Sequence, residues 1–377
     1  MATVSYLFIF GRTPDLAFLE LQTFFPKAER VSSDVARVET DEHSDIGHLM
    51  DGLGGTTKIA LFHTKSDEIN AGSLLEFLKK DESTLEFGAS YYGPGHMPKT
   101  LVAELKKALE AQGIRSRYIT PQHGDALSTV VVDKRGLQEL IIVETPDGYL
   151  IGSTIATQRY GEWNERDYGR PNADPKAGML PPKVARMIVN IAGKGGKILD
   201  PFCGMGTILA EAYMMGWTAF GSDSSTDAVS KAEKNMSWLI DRYKDTNGHV
   251  QKLFVSDAVH VSDILPNGTV DAIVTEPFMG STRIANTVIV DIGKVKNILK
   301  GLEKLYIGCL KDWYKILVPG GRVVMALPQY DISGKSYSVK KVVDMCENLG
   351  YTIVVGPIAY GRPQAVVARQ FYLFQKK

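Results

Sequence analysis

The chain has 377 residues, 43 basic and 43 acidic side chains, and 44% apolar residues. This composition is typical of a soluble globular protein with two or three domains, and it excludes a chain that is disordered throughout or that coats nucleic acid by bulk charge. Its three cysteines, Cys203, Cys309 and Cys346, are too far apart for a disulfide framework or a zinc site, which favours a reducing, cytoplasmic setting. No apolar run is long enough to span a membrane, no targeting segment is evident, and the seven scattered histidines predict no metal site.

Residues 1–84 alternate between strand and helix patterns, which predicts a small α+β domain. Thr13-Pro14 is a good helix start, and Gly54-Gly55 is a good helix end. The predicted strands are Ser5–Phe10, Val31–Glu39 and Thr57–His63, and the predicted helices are Asp15–Phe25, Ser44–Leu53 and Ser73–Lys80.

Residues 85–160 predict a second small domain. The helix expected at Lys99–Gln112 has leucines on one face and lysines on the other, and it ends before Gly113. The predicted strands are Leu85–Tyr92, Leu127–Val132, Leu140–Val143 and Tyr149–Thr157.

Residues 161–182 are rich in Pro and Gly and lack periodicity, so they predict a linker. In residues 183–377 strands and helices alternate, which predicts a doubly wound α/β domain closed by an antiparallel hairpin. The predicted strands are Lys197–Leu199, Thr218–Ser222, Val250–Val255, Ala272–Thr275, Arg322–Leu327, Thr352–Tyr360 and Gln370–Gln375, and the predicted helices are Lys183–Ala192, Thr207–Met215, Ala228–Ile240, Val295–Leu317 and Val339–Leu349.

The strongest motif is Asp-Pro-Phe-Cys-Gly-Met-Gly-Thr at residues 200–207, between a strand and a helix. It lacks the G-x-G-x-x-G spacing of dinucleotide-binding turns, which disfavours a nicotinamide dehydrogenase. It also lacks the G-x-x-x-x-G-K-[ST] pattern, which excludes a P-loop. An Asp before a glycine turn suits a cationic ligand, and S-adenosylmethionine carries a sulfonium and an ammonium group. Cys203 could be a nucleophile, but its place inside the turn favours a packed side chain. The predicted cofactor-binding residues of the turn are Asp200, Phe202, Gly204, Gly206 and Thr207.

Acidic residues also end the next two predicted strands. Asp223 could bind ribose hydroxyls, and Asp257 together with the backbone of Ala258 could bind adenine. Each acid alone could instead be a helix cap. Three acids at successive strand ends favour the cofactor interpretation.

The fourth strand of this domain ends in Thr-Glu-Pro-Phe-Met-Gly at 275–280, which resembles the [DNS]-P-P-[YF] motif of amino-group methyltransferases. In that motif the side-chain oxygen of the first residue accepts hydrogen bonds from an exocyclic amine. The aromatic ring of the last residue stacks on a flipped base. Two alignments are open, because either Glu276 or Thr275 can take the acidic position. We favour Glu276 as the acceptor, followed by Pro277, with Phe278 as the stacking residue; the alternative is a strand end whose Glu is a cap.

The segments 164–171, 178–186 and 200–207 together resemble the tRNA guanine-N2 methyltransferases of the Trm11 and archaeal Trm-G10 type. The resemblance implies a ferredoxin-like domain at 1–84, an RNA-binding THUMP domain at 85–160 and a Rossmann-fold methyltransferase domain at 183–377. It implies methylation of N2 of a guanosine at position 10 of tRNA, and it leaves room for a small activating protein subunit. In that family pattern Met179, Leu180 and Pro181 line the methionine end of the cofactor.

Basic residues near the predicted THUMP helix are candidate RNA contacts, because residues 96–123 contain five basic and two acidic side chains. Arg115 and Arg117 could grip phosphates beside the base-stacking Tyr118, or they could simply be a solvated helix end. In the linker, Arg166 and Arg170 could face RNA or form ion pairs with the catalytic domain. The RNA-binding candidates are Lys99, Lys106, Arg115, Arg117, Arg166 and Arg170.

The sequence therefore predicts a cytoplasmic, S-adenosylmethionine-dependent tRNA methyltransferase that needs no metal and no membrane. One alternative is a DNA or rRNA amino-methyltransferase with the same catalytic domain. Another is a non-catalytic RNA-binding protein with a degenerate methyltransferase domain, which the missing second Pro of the motif motivates.

Overall fold

A computed structural model describes residues 3–41, 45–78, 84–173, 179–244, 246–280, 291–361 and 367–377. The chain divides into two compact units, Met1–Trp163 and Asn164–Lys377. None of the helices in these ranges combines the length and the apolar character that a membrane span requires. The first residue of the predicted helix Ser44–Leu53 and the last two of Ser73–Lys80 lie outside the described residues.

The first unit contains eight strands and six short helices among its described residues. The strands are β1 Thr3–Phe10, β2 Glu29–Arg30, β3 Val35–Asp41, β4 Thr56–Ser66, β5 Thr84–Tyr92, β6 Arg115–Tyr118, β7 Gln138–Thr145 and β8 Gly148–Thr157. The helices are α1 Pro14–Phe24, α2 Ile46–Gly52, α3 Ala71–Leu75, α4 Leu101–Ala111, α5 Thr129–Arg135 and α6 Tyr160–Asn164, the last ending at the boundary.

These strands form one sheet in the order β2-β3-β1-β4-β8-β7-β5-β6. All neighbours are antiparallel except β5, which runs parallel to both β6 and β7. Because β4 pairs with β8, strands from both predicted N-terminal domains belong to this sheet. The domain division at residue 84 stays a prediction.

The predicted strand Leu127–Val132 is wrong, because the structure has the helix α5 there. Three consecutive valines suggested a strand through their β-branched side chains. The helix begins because the side chain of Ser128 accepts a hydrogen bond from the backbone of Val131, and it ends at Gly136 with φ 57°. Capping at both ends outweighs the strand propensity of the short valine run.

The second unit has a single π-helical turn at Glu165–Gly169, two 3₁₀ turns and a larger set of strands and helices among its described residues. Its strands are β9 Lys197–Asp200, β10 Thr218–Asp223, β11 His249–Val255, β12 Val270–Thr275, β13 Leu317–Ile332, β14 Lys335–Ser338, β15 Tyr351–Tyr360 and β16 Val367–Lys376. Its helices are α7 Pro182–Ala192, α8 Thr207–Met214, α9 Thr226–Arg242, α10 Ile292–Ile316 and α11 Lys340–Met345.

The sheet of the second unit has the order β11-β10-β9-β12-β13-β16-β15, with β14 paired to β13. The first five strands are parallel, and β16 and β15 are antiparallel to their neighbours. This confirms the predicted doubly wound fold with its C-terminal hairpin. The strand order reverses between β9 and β12, and ligands of such sheets bind at the carboxyl ends of the strands at that reversal.

The core of the second unit lies between this sheet and α10. Trp313 and Tyr306 of α10 are fully buried there, and Trp313 donates from Nε1 to the carbonyl of Ala258 at 2.9 Å. Tyr306 donates from its hydroxyl to the carbonyl of Phe278 at 2.6 Å. The core helix therefore holds the loops that follow β11 and β12.

Candidate active site

The turn between β9 and α8 is shaped by two glycines with positive φ, Gly204 at 50° and Gly206 at 84°. The backbone amide of Gly206 donates to the carbonyl of Cys203 at 2.7 Å, and α8 begins at the next residue. A Cβ on Gly204 would meet no atom within 4 Å, so the backbone there borders open space. A ligand can approach this turn closely.

Asp200 ends β9 and is buried, with 2% of its surface exposed. Its Oδ1 accepts a hydrogen bond from the hydroxyl of Thr275 at 2.7 Å and from the amide of Phe202 at 3.1 Å. Burial, and to a smaller extent the charges of Asp223 and Glu276, raise the pKa of Asp200 to about 7, although those two hydrogen bonds lower it. The strand ends therefore place Asp223 and Glu276 close enough to Asp200 for their charges to affect its pKa.

Asp223 connects two loops at this edge. Its Oδ2 accepts from the amide of Gly204 at 3.1 Å, and its Oδ1 accepts from the amide of Ser225 at 3.0 Å. The cap of α9 is Ser225, whose hydroxyl accepts from the amide of Ala228. Asp223 therefore braces the glycine turn and is not itself the helix cap.

Asp257 follows β11 and is exposed, and its Oδ1 accepts from the amide of Val259 at 3.1 Å. This bond closes a local turn and caps no helix, because the 3₁₀ turn that follows has His260 at its N-cap. The other carboxylate oxygen of Asp257 can meet a ligand. The neighbouring Ala258 is buried.

The end of β12 places the two candidate acceptors of the Thr-Glu-Pro-Phe motif differently. Thr275 is fully buried and its hydroxyl is bonded to Asp200. Glu276 has 18% of its side chain exposed and accepts from Nε of Arg369. Pro277 is buried, whereas Phe278 is 60% exposed. This placement favours the alignment in which Glu276 is the acceptor and Phe278 the stacking residue.

Two tyrosines hold the backbone that follows Glu276. Tyr306 bonds to the carbonyl of Phe278, and Tyr330 donates to the carbonyl of Met279 at 2.6 Å. A Cβ on Gly280 would lie 2.4 Å from the hydroxyl of Tyr330, so only glycine fits there. Local patterns did not indicate these tyrosines, because they lie on α10 and β13, far along the chain.

Arg166 and Arg170 are buried, which is at odds with their assignment as RNA contacts, and Arg166 fits the ion-pair alternative. Arg166 donates from Nε to Glu211 at 2.9 Å, and Arg186 reaches the other oxygen of Glu211 at 2.7 Å. Arg170 donates from Nη1 to the hydroxyl of Thr207 at 2.7 Å, and its Nη2 lies 3.5 Å from the sulfur of Met179. The end of the predicted linker is thereby tied to the glycine turn.

Arg170 thus links Met179 to Thr207, the first residue of α8, and the role of Met179 at the methionine end of the cofactor stays a prediction. Leu180 is buried, and Pro181 precedes α7 as its N-cap. Asn235 of α9 adds a second connection, since its Nδ2 donates to the carbonyl of Met205 at 2.9 Å. Asn235 was not among the predicted site residues, because it is one buried polar side chain in an amphipathic helix.

Cys203 is not placed for nucleophilic chemistry. Its side chain is 4% exposed, and burial together with the charges of Asp200 and Asp223 raises the pKa of its thiol. A thiol in such surroundings stays protonated and unreactive. The interpretation of Cys203 as a packed residue is confirmed.

The remaining RNA-binding candidates lie in the first unit. Lys99, Arg115 and Arg117 are exposed, and Lys106 is half-buried on α4. Arg115 and Arg117 project from β6, an edge strand of the sheet, and Arg117 lies 3.4 Å from Glu86. Tyr118 instead packs edge-on against Phe87 at 5.3 Å, so its predicted stacking on a base does not fit the structure.

Residues 170–348 match the family described as UPF0020, RMKL-like, methyltransferase domain. The chain is 31% identical over 228 residues to the tRNA (guanine(10)-N2)-dimethyltransferase of Pyrococcus abyssi, an alignment that covers 60% of this chain and 59% of that protein. It is 33% identical over 150 residues to the probable tRNA (guanine(10)-N2)-dimethyltransferase of Methanothermococcus thermolithotrophicus, which covers 38% of this chain and 84% of that protein. The chain belongs to this tRNA guanine-N2 methyltransferase family.

The chain spans about half the length of the first curated relatives that it matches, 44–59% of each. The crystal structure of TrmN from Thermus thermophilus shares its fold over 100% of both chains, with a TM-score of 0.57 and 18% identity. Together with the family match over residues 170–348, this shows that the second unit has a methyltransferase fold.

The residues at the strand reversal fit the cofactor of this family. S-adenosylmethionine carries two positive charges at its methionine end, and the side chains of Asp200, Asp223 and Glu276 are acidic. The described residues that surround Asp200 supply hydrogen bonds but no cationic partner for its charge. The open backbone at Gly204 offers close approach. No group of three metal-ligating side chains occurs in the part of the chain that the structure describes.

Proposed function

We propose that this protein is an S-adenosylmethionine-dependent methyltransferase that methylates the exocyclic N2 of a guanosine in tRNA. The observation that carries the proposal is the position of Glu276 at the carboxyl end of β12, beside Asp200 and the glycine turn. The names of the family relatives support tRNA as the substrate and position 10 as the target nucleotide. The cofactor, when bound, supplies an electrophilic methyl group.

The acidic cluster and the turn would hold the cofactor. Asp200 and the backbone at Gly204 and Gly206 would bind its methionine end together with Met179, Leu180 and Pro181. Asp223 would bind the ribose hydroxyls, and Asp257 with the backbone of Ala258 would bind the adenine. These roles extend the family resemblance onto the strand ends where the structure places the residues.

The target base must leave its stack to reach this edge of the sheet. Phe278, which is 60% exposed, offers a ring on which the flipped base can stack. Guanine presents N–H groups at both N1 and N2, and an ionised carboxylate accepts hydrogen bonds but donates none. Glu276 would therefore orient the N2 amine by accepting a hydrogen bond from it and would take up the one proton that N2 loses on methylation. The same carboxylate would repel the N1 lone pair of an adenine. Positioning of this kind supplies much of the rate enhancement of a transfer reaction.

The first unit would select the RNA. It carries exposed basic side chains at Lys99, Arg115 and Arg117, and it contains residues 85–160, where the THUMP domain is predicted. Its contribution would be the phosphate contacts that fix the register of the tRNA and decide which nucleotide reaches Phe278. An activating protein subunit and a cytoplasmic location stay predictions.

The test is methyl transfer from labelled S-adenosylmethionine to unmodified bulk tRNA, followed by nucleoside analysis. Wild type should produce N2-methylguanosine or N2,N2-dimethylguanosine, and Glu276→Ala should lose at least about 100-fold in rate. The matched control is Glu233→Ala, an exposed carboxylate on α9. It should retain wild-type activity.

Other outcomes would separate the alternatives. A different methylated nucleoside would keep the reaction class and overturn the target base. Transfer to duplex DNA or rRNA in place of tRNA would favour the amino-methyltransferase alternative. Failure to bind S-adenosylmethionine, together with tight tRNA binding, would favour a non-catalytic RNA-binding protein.

A further inference from the structure

Glu276 is paired with a residue that lies 93 positions further along the chain. Arg369 is on β16, opposite Pro328 of β13, and its Nε donates a hydrogen bond to Oε1 of Glu276. Only 21% of the Arg369 side chain and 18% of the Glu276 side chain are exposed. The C-terminal hairpin therefore places the positive charge of Arg369 at the end of β12.

The guanidinium group of Arg369 is itself held in place. It stands 5.6 Å from the centre of the Tyr360 ring, and Tyr360 is the residue opposite Arg369 on the neighbouring strand β15. A guanidinium over an aromatic face is attracted by the electrons of the ring. Two strands of the sheet thus fix where the charge of Arg369 lies.

The ionisation of Glu276 depends on a balance among the groups that face it. Burial raises the pKa of the Glu276 carboxyl, and Arg369 opposes this rise through its charge and its hydrogen bond. Asp200, at the end of β9, is close enough for the charge of Glu276 to affect its own pKa, and so is Tyr306 on α10. In the described part of the chain, the positive charge that acts on Glu276 is that of Arg369.

The proposed reaction needs Glu276 as an anion with one oxygen available. A protonated carboxyl would place a donor against the N–H groups of guanine, whereas the anion accepts them. The contact with Arg369 uses Nε and Oε1, so Oε2 is left to face the target amine. Glu also has one more rotatable bond than the Asp of the usual motif, and an ion pair offsets that extra freedom by holding one rotamer.

We infer that Arg369 is a positioning residue, which holds Glu276 ionised and oriented as the acceptor of the target amine. This inference rests on the proposed methyl transfer and extends it to a residue outside the motif.

The experiment measures kcat/KM for tRNA methylation between pH 5.5 and 9 for wild type, Arg369→Gln and Arg369→Lys. Because loss of Arg369 leaves burial unopposed, the pKa of Glu276 should rise in Arg369→Gln. The acid limb of the profile should then move up by about one pH unit, with a loss of up to about tenfold at pH values on that limb and recovery near pH 9. Arg369→Lys keeps the charge and should restore most of the wild-type profile.

Controls separate positioning from a structural effect. Lys335→Gln removes an exposed cation from β14 of the same unit and should leave the profile unchanged. The thermal midpoint and S-adenosylmethionine affinity of each variant show whether it folds. A folded Arg369→Gln variant with the wild-type profile, or with an equal loss at every pH, would overturn the inference. Absence of methyl transfer by wild type would instead overturn the proposed function.

Discussion

Two buried carboxylates of the second unit, Asp200 and Glu211, have opposite surroundings although they are close in sequence. Glu211 on α8 lies between Arg166 and Arg186, with N–O distances of 2.9 and 2.7 Å. Asp200 receives hydrogen bonds only from neutral donors and has two further acids nearby. The first carboxylate is neutralised by the fold, and the second is left for a cationic ligand to neutralise. A buried charge that the protein does not balance is a better sign of a ligand site than burial alone.

The largest expected effect on stability comes from removing the charge of Glu211, which two arginines neutralise. Glu211→Gln leaves Arg166 and Arg186 buried without their shared anion, and we expect the free energy of unfolding to fall by about 3–5 kcal/mol. Urea denaturation measures it, with the exposed Glu233→Gln as the control that should change little. A loss below about 1 kcal/mol would mean that other groups already stabilise these two cations.

Removing the charge of Asp200 should instead raise the free energy of unfolding. The pKa of Asp200 is raised to about 7 in the folded protein, from about 4 in an unfolded chain, so the folded state binds more protons between those values. The free energy of unfolding contributed by Asp200 therefore falls as pH rises from about 4 to 7. Asp200→Asn lacks this cost and should be more stable than wild type at pH 8, by on the order of 1–2 kcal/mol.

The same Asp200→Asn variant should bind S-adenosylmethionine at least about tenfold more weakly, because a charge-assisted contact is lost. Thermal unfolding at pH 5 and pH 8 and calorimetric titration of the cofactor measure the two effects. Destabilisation at pH 8 with unchanged cofactor affinity would show that Asp200 serves the fold alone.

The turn between the two carboxylates allows a smaller and purely conformational test. Gly206 has φ 84°, and an added Cβ would contact Ala232 and Met236 at ordinary distances of 3.5 Å or more. Gly206→Ala should therefore lose about 1 kcal/mol of stability from backbone strain and should weaken cofactor binding. Gly301→Ala in α10, where nothing lies within 4 Å, should instead gain up to about 1 kcal/mol. Equal effects of the two variants on stability would contradict this account.

Substitution of an exposed charged residue should have the smallest effect of this series. Arg117→Ala on β6 should leave stability unchanged, weaken tRNA binding modestly and reduce the slope of log affinity against log salt by about one. Binding assays at several salt concentrations measure this slope, and Lys234→Ala on α9 is the exposed control in the second unit. An unchanged slope for Arg117→Ala would remove this residue from the RNA-binding surface.

Much of the candidate site was predictable because its residues follow strands directly. Asp200, Asp223 and Glu276 each come at the carboxyl end of a parallel strand, and parallel strands bring these ends to one edge of the sheet. The motif left two alignments open, with Glu276 favoured over Thr275. Packing supports the same choice, because the hydroxyl of Thr275 is bonded to Asp200 and Glu276 lies nearer the surface, and the role of Glu276 stays a prediction.

The sequence by itself determined the alternation of strands and helices, the glycine turn after β9 and the family to which the chain belongs. These features depend on neighbours in the chain, whose propensities and spacing can be read locally. Tertiary structure alone decided the single sheet of the first unit, the helix α5, the neutralised Glu211 and the partner of Glu276. Each of these depends on residues that are distant in sequence or on caps that compete with local propensity, so the folded chain was needed to show them.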